Sequence, residues 1–353
     1  MKILIIKLNK IGDVLLTSPL FENLKAHFGE NCEIDMLVNA GTEGLLDSTL
    51  LNTIISLKRP KGIFSRLKSD LSLLVALRMQ KYDIVLGLTG GERTAFSAFF
   101  TGAKVRVGFP PKSFWAKNLY THKIKRYKPQ HNIESNLDAL RALEIPILKK
   151  YVCPKIAKDS IKLKNLPKYF VHCHFFSDWN FKCLEDSFCA KIVDFITQTY
   201  QIPCVLTAAP SETQKIQTIQ TLTASKPIIF AGNLALDEVA LLNSKSKAFV
   251  GVDTSIMHLS AANEIPTFAF FGPSFTQVWG PWDNSLQDFP YKNQKGGIQK
   301  IGKHCIYQEQ MPCIPCGMAG CNDSQKSDCL TSKLHQQSAL HALQNFLDPL
   351  LKV

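Results

Sequence analysis

Length, composition and charge set the first limits on this chain. It has 353 residues, of which 45% are hydrophobic and 20% are charged. This balance excludes a disordered or fibrous protein and favours two globular domains. Lysine and arginine number 41 against 29 aspartate and glutamate residues, so the formal charge is +12. Such a surplus suits a polyanionic partner: nucleic acid, a phosphorylated substrate or an anionic membrane face.

The sequence carries no pattern typical of membrane insertion or export. No stretch approaches the roughly 20 consecutive apolar residues that span a bilayer, and the start of the chain lacks the apolar region of a secretory signal peptide. We therefore expect a cytoplasmic protein. Its 11 cysteines are then expected to be thiols or metal ligands rather than disulfides.

The first half of the chain alternates predicted strands with helical patterns. Between the strands, leucines recur at helical spacing over residues 64–81. Strands that alternate with helices predict a parallel sheet with right-handed crossovers. The apolar runs typical of buried strands lie at residues 2–7, 33–38, 52–57, 83–88 and 104–107.

The same alternation resumes after a lysine- and proline-punctuated stretch. We predict a first domain at 1–150, a linker at 151–167, a second domain at 168–335 and a final helix at 336–353 that packs back on the first domain. The organisation predicts two consecutive doubly wound α/β domains. Second-half strands are predicted at 169–174, 203–208, 227–231, 247–252 and 266–271, with helices at about 184–200, 211–224, 236–246 and 255–264.

The turn after the first strand holds a candidate catalytic carboxylate. Gly12 permits a tight turn, and Asp13 follows the carboxyl end of the strand, where ligands bind in open α/β sheets. Two interpretations remain open: Asp13 caps the following helix, or its carboxylate acts as a base. Further on, Ser18 as a cap and Pro19 as the first helical residue would break the helical pattern in two.

A candidate anion site lies at the end of the fourth predicted strand of the second domain. The strand ends at Val252, and the next helix opens with Asp253, Thr254 and Ser255. Backbone N–H groups and two hydroxyls at a helix N-terminus suit a diphosphate. Because Asp253 would repel phosphate, we interpret it as the cap or as an anchor for neighbouring groups.

Two further features are predicted near the same sheet edge. The loop Phe270-Phe-Gly-Pro-Ser274 leaves the adjacent strand with another glycine turn and hydroxyl. Lys182 follows the strand at 169–174 by a short loop. A lone lysine at such a position is either a ligand-binding group or a solvated surface charge.

Residues 101–130 concentrate the positive charge, holding eight basic residues and no acidic one. They supply +8 of the net +12. Basic and aromatic side chains together can bind single-stranded nucleic acid or an anionic membrane surface, and the alternative is a solvated loop. The basic residues are Lys104, Arg106, Lys112, Lys117, Lys123, Lys125, Arg126 and Lys128, interleaved with Phe109, Phe114, Trp115, Tyr120 and Tyr127.

Cysteines crowd near the end of the second domain. Cys313, Cys316, Cys321 and Cys329 are spaced C-x2-C-x4-C-x7-C, within a cysteine-rich segment at 304–329 that opens with His304 and Cys305. Four thiolates can hold a structural zinc ion, and free thiols, an iron–sulfur cluster or disulfides are the alternatives. No Asp-x-Asp occurs in the sequence, so the usual carboxylate pair for a metal–nucleotide diphosphate is absent.

Taken in chain order, these motifs resemble glycosyltransferase family 9, the lipopolysaccharide heptosyltransferases. The cysteine run resembles a feature of the heptosyltransferase III-like subset. The resembling segments are residues 3–19, 82–88 with Arg93, 131–136, 209–212, 231–232, 252–258 and 271–274.

The resemblance implies a GT-B architecture: two Rossmann-like domains that face a central cleft, the first binding the acceptor and the second the nucleotide sugar. It implies inverting, metal-independent transfer of heptose from ADP-heptose to the lipopolysaccharide core, by a monomer on the cytoplasmic face of the inner membrane. Asp13 would be the general base and Lys182 would stabilise the departing ADP. Donor contacts would be Gly232, Asp253, Thr254, Ser255, His258, Gly272, Pro273 and Ser274, and acceptor contacts Lys10, Gly12, Arg93, His131 and Glu134.

Three rival interpretations stay open. The same fold can use another nucleotide sugar, and the basic segment can make the chain a nucleic-acid-binding module. A dinucleotide-dependent oxidoreductase is disfavoured, because the first strand–helix turn holds one glycine where G-x-G-x-x-G needs three.

Overall fold

A computed structural model describes residues 1–125, 129–287, 291–292 and 295–352. Arg126, Tyr127 and Lys128 of the basic segment lie outside the described residues. The chain divides into two units, Met1–Lys155 and Ile156–Val353.

The first unit is a parallel sheet flanked by helices. Its strands are ordered β3-β2-β1-β4-β5-β6, and every described pairing in it is parallel. Strand β1 is central and apolar, and its residues Ile3 to Ile6 are fully buried because helices cover both faces. The elements are β1 Lys2–Lys7, α1 Ile11–Leu15, α2 Pro19–Phe28, β2 Glu33–Asn39, β3 Thr53–Leu57, α3 Ile63–Met79, β4 Ile84–Gly87, α4 Glu92–Phe100, β5 Val105–Gly108, β6 His122–Lys123 and α5 Asn132–Arg141.

The second unit repeats this plan with a wider sheet. The strand order is β12-β13-β11-β10-β7-β8-β9, parallel except for the antiparallel pair β12–β13. The elements are β7 Val171–His174, α6 Asp186–Tyr200, β8 Cys204–Ala208, α7 Thr213–Leu222, β9 Ile228–Ala231, α8 Leu236–Ser244, β10 Ala248–Val252, α9 Ser255–Ala262, β11 Thr267–Phe271, α10 Thr276–Trp279, β12 Gly297–Ile301, β13 His304–Gln308, α11 Asp328–Thr331 and α12 Gln336–Leu351.

Two boundaries differ from the sequence expectations. Most of the expected linker belongs to the second unit, which begins at Ile156. Its Leu163 is buried beside Phe170 and Val205. Helix α12 buries Leu343 and Phe346 in the core of the second unit, and Phe346 meets Phe268 at 5.5 Å between ring centroids. This apolar face is thus used within the second unit.

No helix in the described part of the chain combines the length and the apolar character that a bilayer crossing requires.

Candidate functional site

Asp13 lies in the first turn of α1, at the carboxyl end of β1. Lys10, and not Asp13, occupies the N-cap position of this short helix, so the capping interpretation of Asp13 is wrong. Asn132 Nδ2 donates a hydrogen bond of 3.0 Å to Asp13 Oδ1. Lys7 Nζ lies 4.0 Å from the same oxygen, and the Asp13 side chain keeps 17% of its exposure. The contacts at Oδ1 therefore orient the carboxylate, and its remaining exposure leaves it accessible to a ligand.

Lys7 is a buried cation beside this carboxylate. Only 3% of it is exposed, and its ammonium donates to Asn136 Oδ1 at 2.9 Å. Asn136 Nδ2 in turn donates to the carbonyl of Leu16 at 2.9 Å. Asn132 and Asn136 are four residues apart on α5, so they share one helix face. That face fixes both Lys7 and Asp13.

His131 and Glu134 lie beside these two asparagines and support α5. His131 is buried and caps the helix, its Nδ1 accepting from the Ile133 N–H at 3.3 Å. Burial favours a raised pKa for Glu134, but Lys150 and Arg141 hold that pKa below its usual range. His131 and Glu134 are the expected acceptor contacts, whereas Asn132 donates to Asp13 and Asn136 accepts from Lys7. The four-residue spacing of the two asparagines within residues 131–136 is the sequence signal that places them on one helix face.

The other expected acceptor contacts belong to two helices, α1 and α4. Gly12 is buried inside α1, and Lys10 is exposed at the start of that helix. Arg93 on α4 pairs with Asp70 on α3, with 2.6 Å between Nη2 and Oδ1. The structure thus ties Arg93 to a neighbouring helix.

In the second unit, Lys182 and Asp253 form a largely buried ion pair. Lys182 Nζ lies 2.6 Å from Asp253 Oδ2, with side-chain exposures of 19% and 5%. The ammonium also lies 6.0 Å from the centroid of the Trp279 ring, which packs against the His258 ring at 6.4 Å. The surface-charge interpretation of Lys182 is therefore wrong, and Asp253 is its anchor.

Helix α9 begins beside this pair. Thr254 is its N-cap, in an extended conformation, and makes no side-chain capping bond. Asp253 is therefore not the cap. Because the first backbone N–H groups of a helix have no partner within it, Thr254, Ser255 and these groups form an arrangement suited to an anion.

The loop after β11 is held rigidly beside α9. Gln308 Nε2 donates to the carbonyls of Gly272 at 2.7 Å and Ser274 at 2.9 Å. A Cβ at Gly272 would lie 2.5 Å from Leu330 Cδ1, so a larger residue would require the Leu330 side chain to move. Strands β10 and β11 are parallel neighbours, which brings Ser274 and Thr254 to the same sheet edge.

Gly232 marks a different point along that edge. It follows β9, the last strand of the sheet, with φ +72, and a Cβ there would lie 2.6 Å from Pro210 Cα. β9 is three strands from β10, or about 14 Å at the usual strand spacing. Gly232 is thus separate from the Lys182–Asp253 pair.

The cysteines supply no support for the expected zinc site. All eleven are free thiols. Among the described residues, no group of three histidine, cysteine or acidic side chains is brought together as for a metal ion. Burial, reinforced by the other three cysteines of the run, raises the pKa of the Cys329 thiol to about 12.

The profile of glycosyltransferase family 9 (heptosyltransferase) matches residues 71–309, more than half of the chain. The chain belongs to glycosyltransferase family 9. It is therefore a glycosyltransferase, and the expected family is confirmed.

Individual relatives agree. Lipopolysaccharide heptosyltransferase 3 of Escherichia coli K12 is 28% identical over 295 residues, which cover 79% of this chain and 84% of the relative. A family 9 glycosyl transferase from Veillonella parvula superposes with a TM-score of 0.76 at 18% identity, covering 98% of this chain and 97% of that one. E. coli ADP-heptose LPS heptosyltransferase II gives a TM-score of 0.70 at 19% identity and covers 98% of both chains. These similarities confirm the α/β fold with two Rossmann-like units of the GT-B type.

Proposed function

We propose that this glycosyltransferase transfers heptose from ADP-heptose to the inner core of lipopolysaccharide, with inversion at the anomeric carbon. The observation that carries the proposal is the oriented, partly exposed carboxylate of Asp13 at the end of β1, in a family 9 chain. The names of its relatives, which include a lipopolysaccharide heptosyltransferase and an ADP-heptose LPS heptosyltransferase, support the choice of sugar, nucleotide and acceptor.

In this proposal Asp13 is the general base of the first unit. Its contacts with Asn132 and Lys7 are both made to Oδ1, so we assign proton transfer to Oδ2. As the acceptor hydroxyl loses its proton to Oδ2, its oxygen bonds to the anomeric carbon from the face opposite the diphosphate. The bond from that carbon to the diphosphate oxygen breaks, ADP leaves, and the configuration inverts.

The second unit is proposed to hold the donor. Lys182, the Thr254 and Ser255 hydroxyls and the first N–H groups of α9 would meet the charge that builds on the departing diphosphate. Asp253 would keep Lys182 in place, and Ser274 would extend the polar edge. Because the sequence has no Asp-x-Asp, we propose that these groups, and no metal ion, neutralise the diphosphate.

The basic segment is proposed to hold the acceptor. Lys104, Lys112, Lys117, Lys123 and Lys125 are all exposed, and the lipopolysaccharide core is rich in phosphate and carboxylate groups. Phe109 and Tyr120 of the same segment are buried, which leaves fewer aromatic rings for stacking nucleic-acid bases. Because the acceptor is lipid-anchored, we propose that the enzyme is peripheral to the cytoplasmic face of the inner membrane. We also propose that it acts as a monomer.

The Asp13→Asn variant tests the assigned base. We expect sugar transfer to fall by about a hundredfold or more while circular dichroism shows a folded protein, because an asparagine oxygen can still accept the Asn132 hydrogen bond and only the 4.0 Å contact with Lys7 loses its charge. Asp47→Asn is the matched control, since Asp47 is also partly buried and accepts one hydrogen bond, from the Thr49 N–H. A folded Asp13→Asn enzyme with full activity would refute the proposed base.

A further inference from the structure

Helix α3 turns an apolar face outward. Along its 17 residues the one buried side chain is Leu77. Because five of the exposed apolar side chains recur at every fourth position, they share one face with their neighbour Phe64. A helix of a globular domain normally packs this face on the core. The exposed side chains are Ile63 at 74%, Phe64 at 88%, Leu67 at 62%, Leu71 at 64%, Val75 at 53% and Met79 at 74%.

Exposed aromatic residues lie in and after the neighbouring helix, α4. The Arg93–Asp70 ion pair joins α4 to α3. Phe96 stacks on Phe100 with 6.2 Å between ring centroids and meets Trp115 at 4.9 Å. Phe96, Phe99, Phe100, Phe114 and Trp115 are 38–86% exposed. Together with the α3 side chains they form what we call the outer apolar surface.

Positive charge surrounds this surface. Residues 58–81 hold seven exposed basic side chains against one acidic residue, Asp70, which Arg93 already neutralises. The exposed lysines of the basic segment lie on both sides of Trp115 in the sequence. The seven basic residues are Lys58, Arg59, Lys61, Arg66, Lys68, Arg78 and Lys81.

Exposed apolar side chains surrounded by positive charge favour an anionic membrane as the partner. A second copy of the chain would place one basic rim against another, which is repulsive. An anionic bilayer offers acyl chains to the apolar side chains and negative headgroups to the lysines and arginines. Tryptophan and lysine at the rim suit the headgroup boundary, since each has an apolar body and a polar tip.

We propose that the outer apolar surface docks the first unit on an anionic membrane, with α3 lying in the plane of the interface and Trp115 inserted at headgroup depth. The inference deepens the proposed peripheral location by naming the surface that contacts the lipid, and it depends on neither the donor nor the base.

Sedimentation of the full chain with vesicles tests this inference. We expect binding to vesicles of phosphatidylethanolamine and phosphatidylglycerol, and at least about tenfold less to phosphatidylcholine alone. The triple variant Phe64→Gln, Leu67→Gln, Leu71→Gln should weaken binding at least about tenfold, while its melting curve stays that of the parent because the side chains are exposed. The control triple Leu148→Gln, Ile161→Gln, Leu334→Gln changes residues of 65%, 77% and 87% exposure and should bind like the parent.

Fluorescence tests the orientation. Brominated acyl chains should quench the emission of the parent, and Trp115→Phe should bind equally but lose that quenching. Equal binding by both triple variants, equal binding to phosphatidylcholine, or quenching that persists in Trp115→Phe would overturn the proposal. A dimer in vesicle-free sedimentation velocity that the α3 triple variant dissolves would also overturn it. Transfer to a de-acylated acceptor in solution needs no vesicle, so failure of docking and failure of the proposed reaction are distinguishable.

Discussion

Substitutions in the Lys182–Asp253 ion pair can separate a ligand-binding role of Lys182 from its contribution to stability. The Lys182→Met substitution removes the ammonium and leaves the Asp253 carboxylate, whose side chain is 5% exposed, without this ion-pair partner. Breaking a fully buried pair costs about 3–5 kcal/mol. Because 19% of the Lys182 side chain is exposed, solvent screens the pair, and we expect about 2–3 kcal/mol. For a unit of this size that corresponds to a fall in melting temperature of roughly 5–10 °C.

The double variant Lys182→Met, Asp253→Asn completes the test. Replacing both charges removes the stranded carboxylate, so most of the lost stability should return. Affinity for ADP should not return, because Lys182 is the proposed diphosphate contact, and we expect binding about tenfold weaker in both variants carrying Lys182→Met. Thermal unfolding by circular dichroism and titration calorimetry with ADP measure the two effects. Strictly additive destabilisation, or ADP affinity restored together with stability, would refute this reasoning.

Three further perturbations follow from the geometry. Gly232→Ala should lower the stability of the second unit by about 2–4 kcal/mol, through its positive φ and the contact with Pro210; a melting temperature equal to that of the parent would contradict this. His174 is buried, and desolvation lowers its pKa from 6.5 to about 4. Between these two pH values the His174 imidazole is protonated in the unfolded chain but neutral in the folded protein. Stability should therefore fall by about 3 kcal/mol as pH drops through that window, and His174→Gln should show a flatter pH profile in urea unfolding. Lys7→Met should cost about 1–3 kcal/mol by leaving buried Asn136 Oδ1 without this donor, and should slow transfer; unchanged activity would remove Lys7 from the site.

Much of the fold follows from the local sequence pattern. The apolar runs at 2–7 and 248–252 become central strands because only helix-covered parallel strands tolerate such sequences on both faces. Pro19 does begin α2, as predicted, since its fixed φ suits the first helical position. Ser18 precedes it, but its hydroxyl accepts from the Cys153 N–H at 3.0 Å rather than capping the helix.

The hairpin of β12 and β13 was not predicted from the sequence. Exposed Ile298 and Lys300 alternate with buried or half-buried positions along β12, so the strand lacks the continuous apolar run that marks its neighbours. Gly302, with φ +52, was the available turn signal.

The contacts that define the site could not be read from the sequence because they join distant positions. Lys7 and Asn136 are 129 residues apart, and the partners of the Lys182–Asp253 pair lie on different loops of the second sheet. Likewise, helical spacing predicts α3 but does not say which face is covered. The outer apolar surface was therefore visible only once neighbouring helices were placed.

The most direct measurement of the proposed reaction is mass spectrometry of the product formed from purified enzyme, de-acylated lipopolysaccharide core and ADP-heptose, beside parallel reactions with UDP- and GDP-sugars. We predict a mass gain of one heptosyl residue with ADP-heptose alone, with release of ADP and an inverted linkage by NMR. Transfer from a UDP- or GDP-sugar in preference to ADP-heptose would contradict the proposed donor, as would retention of configuration at the anomeric carbon.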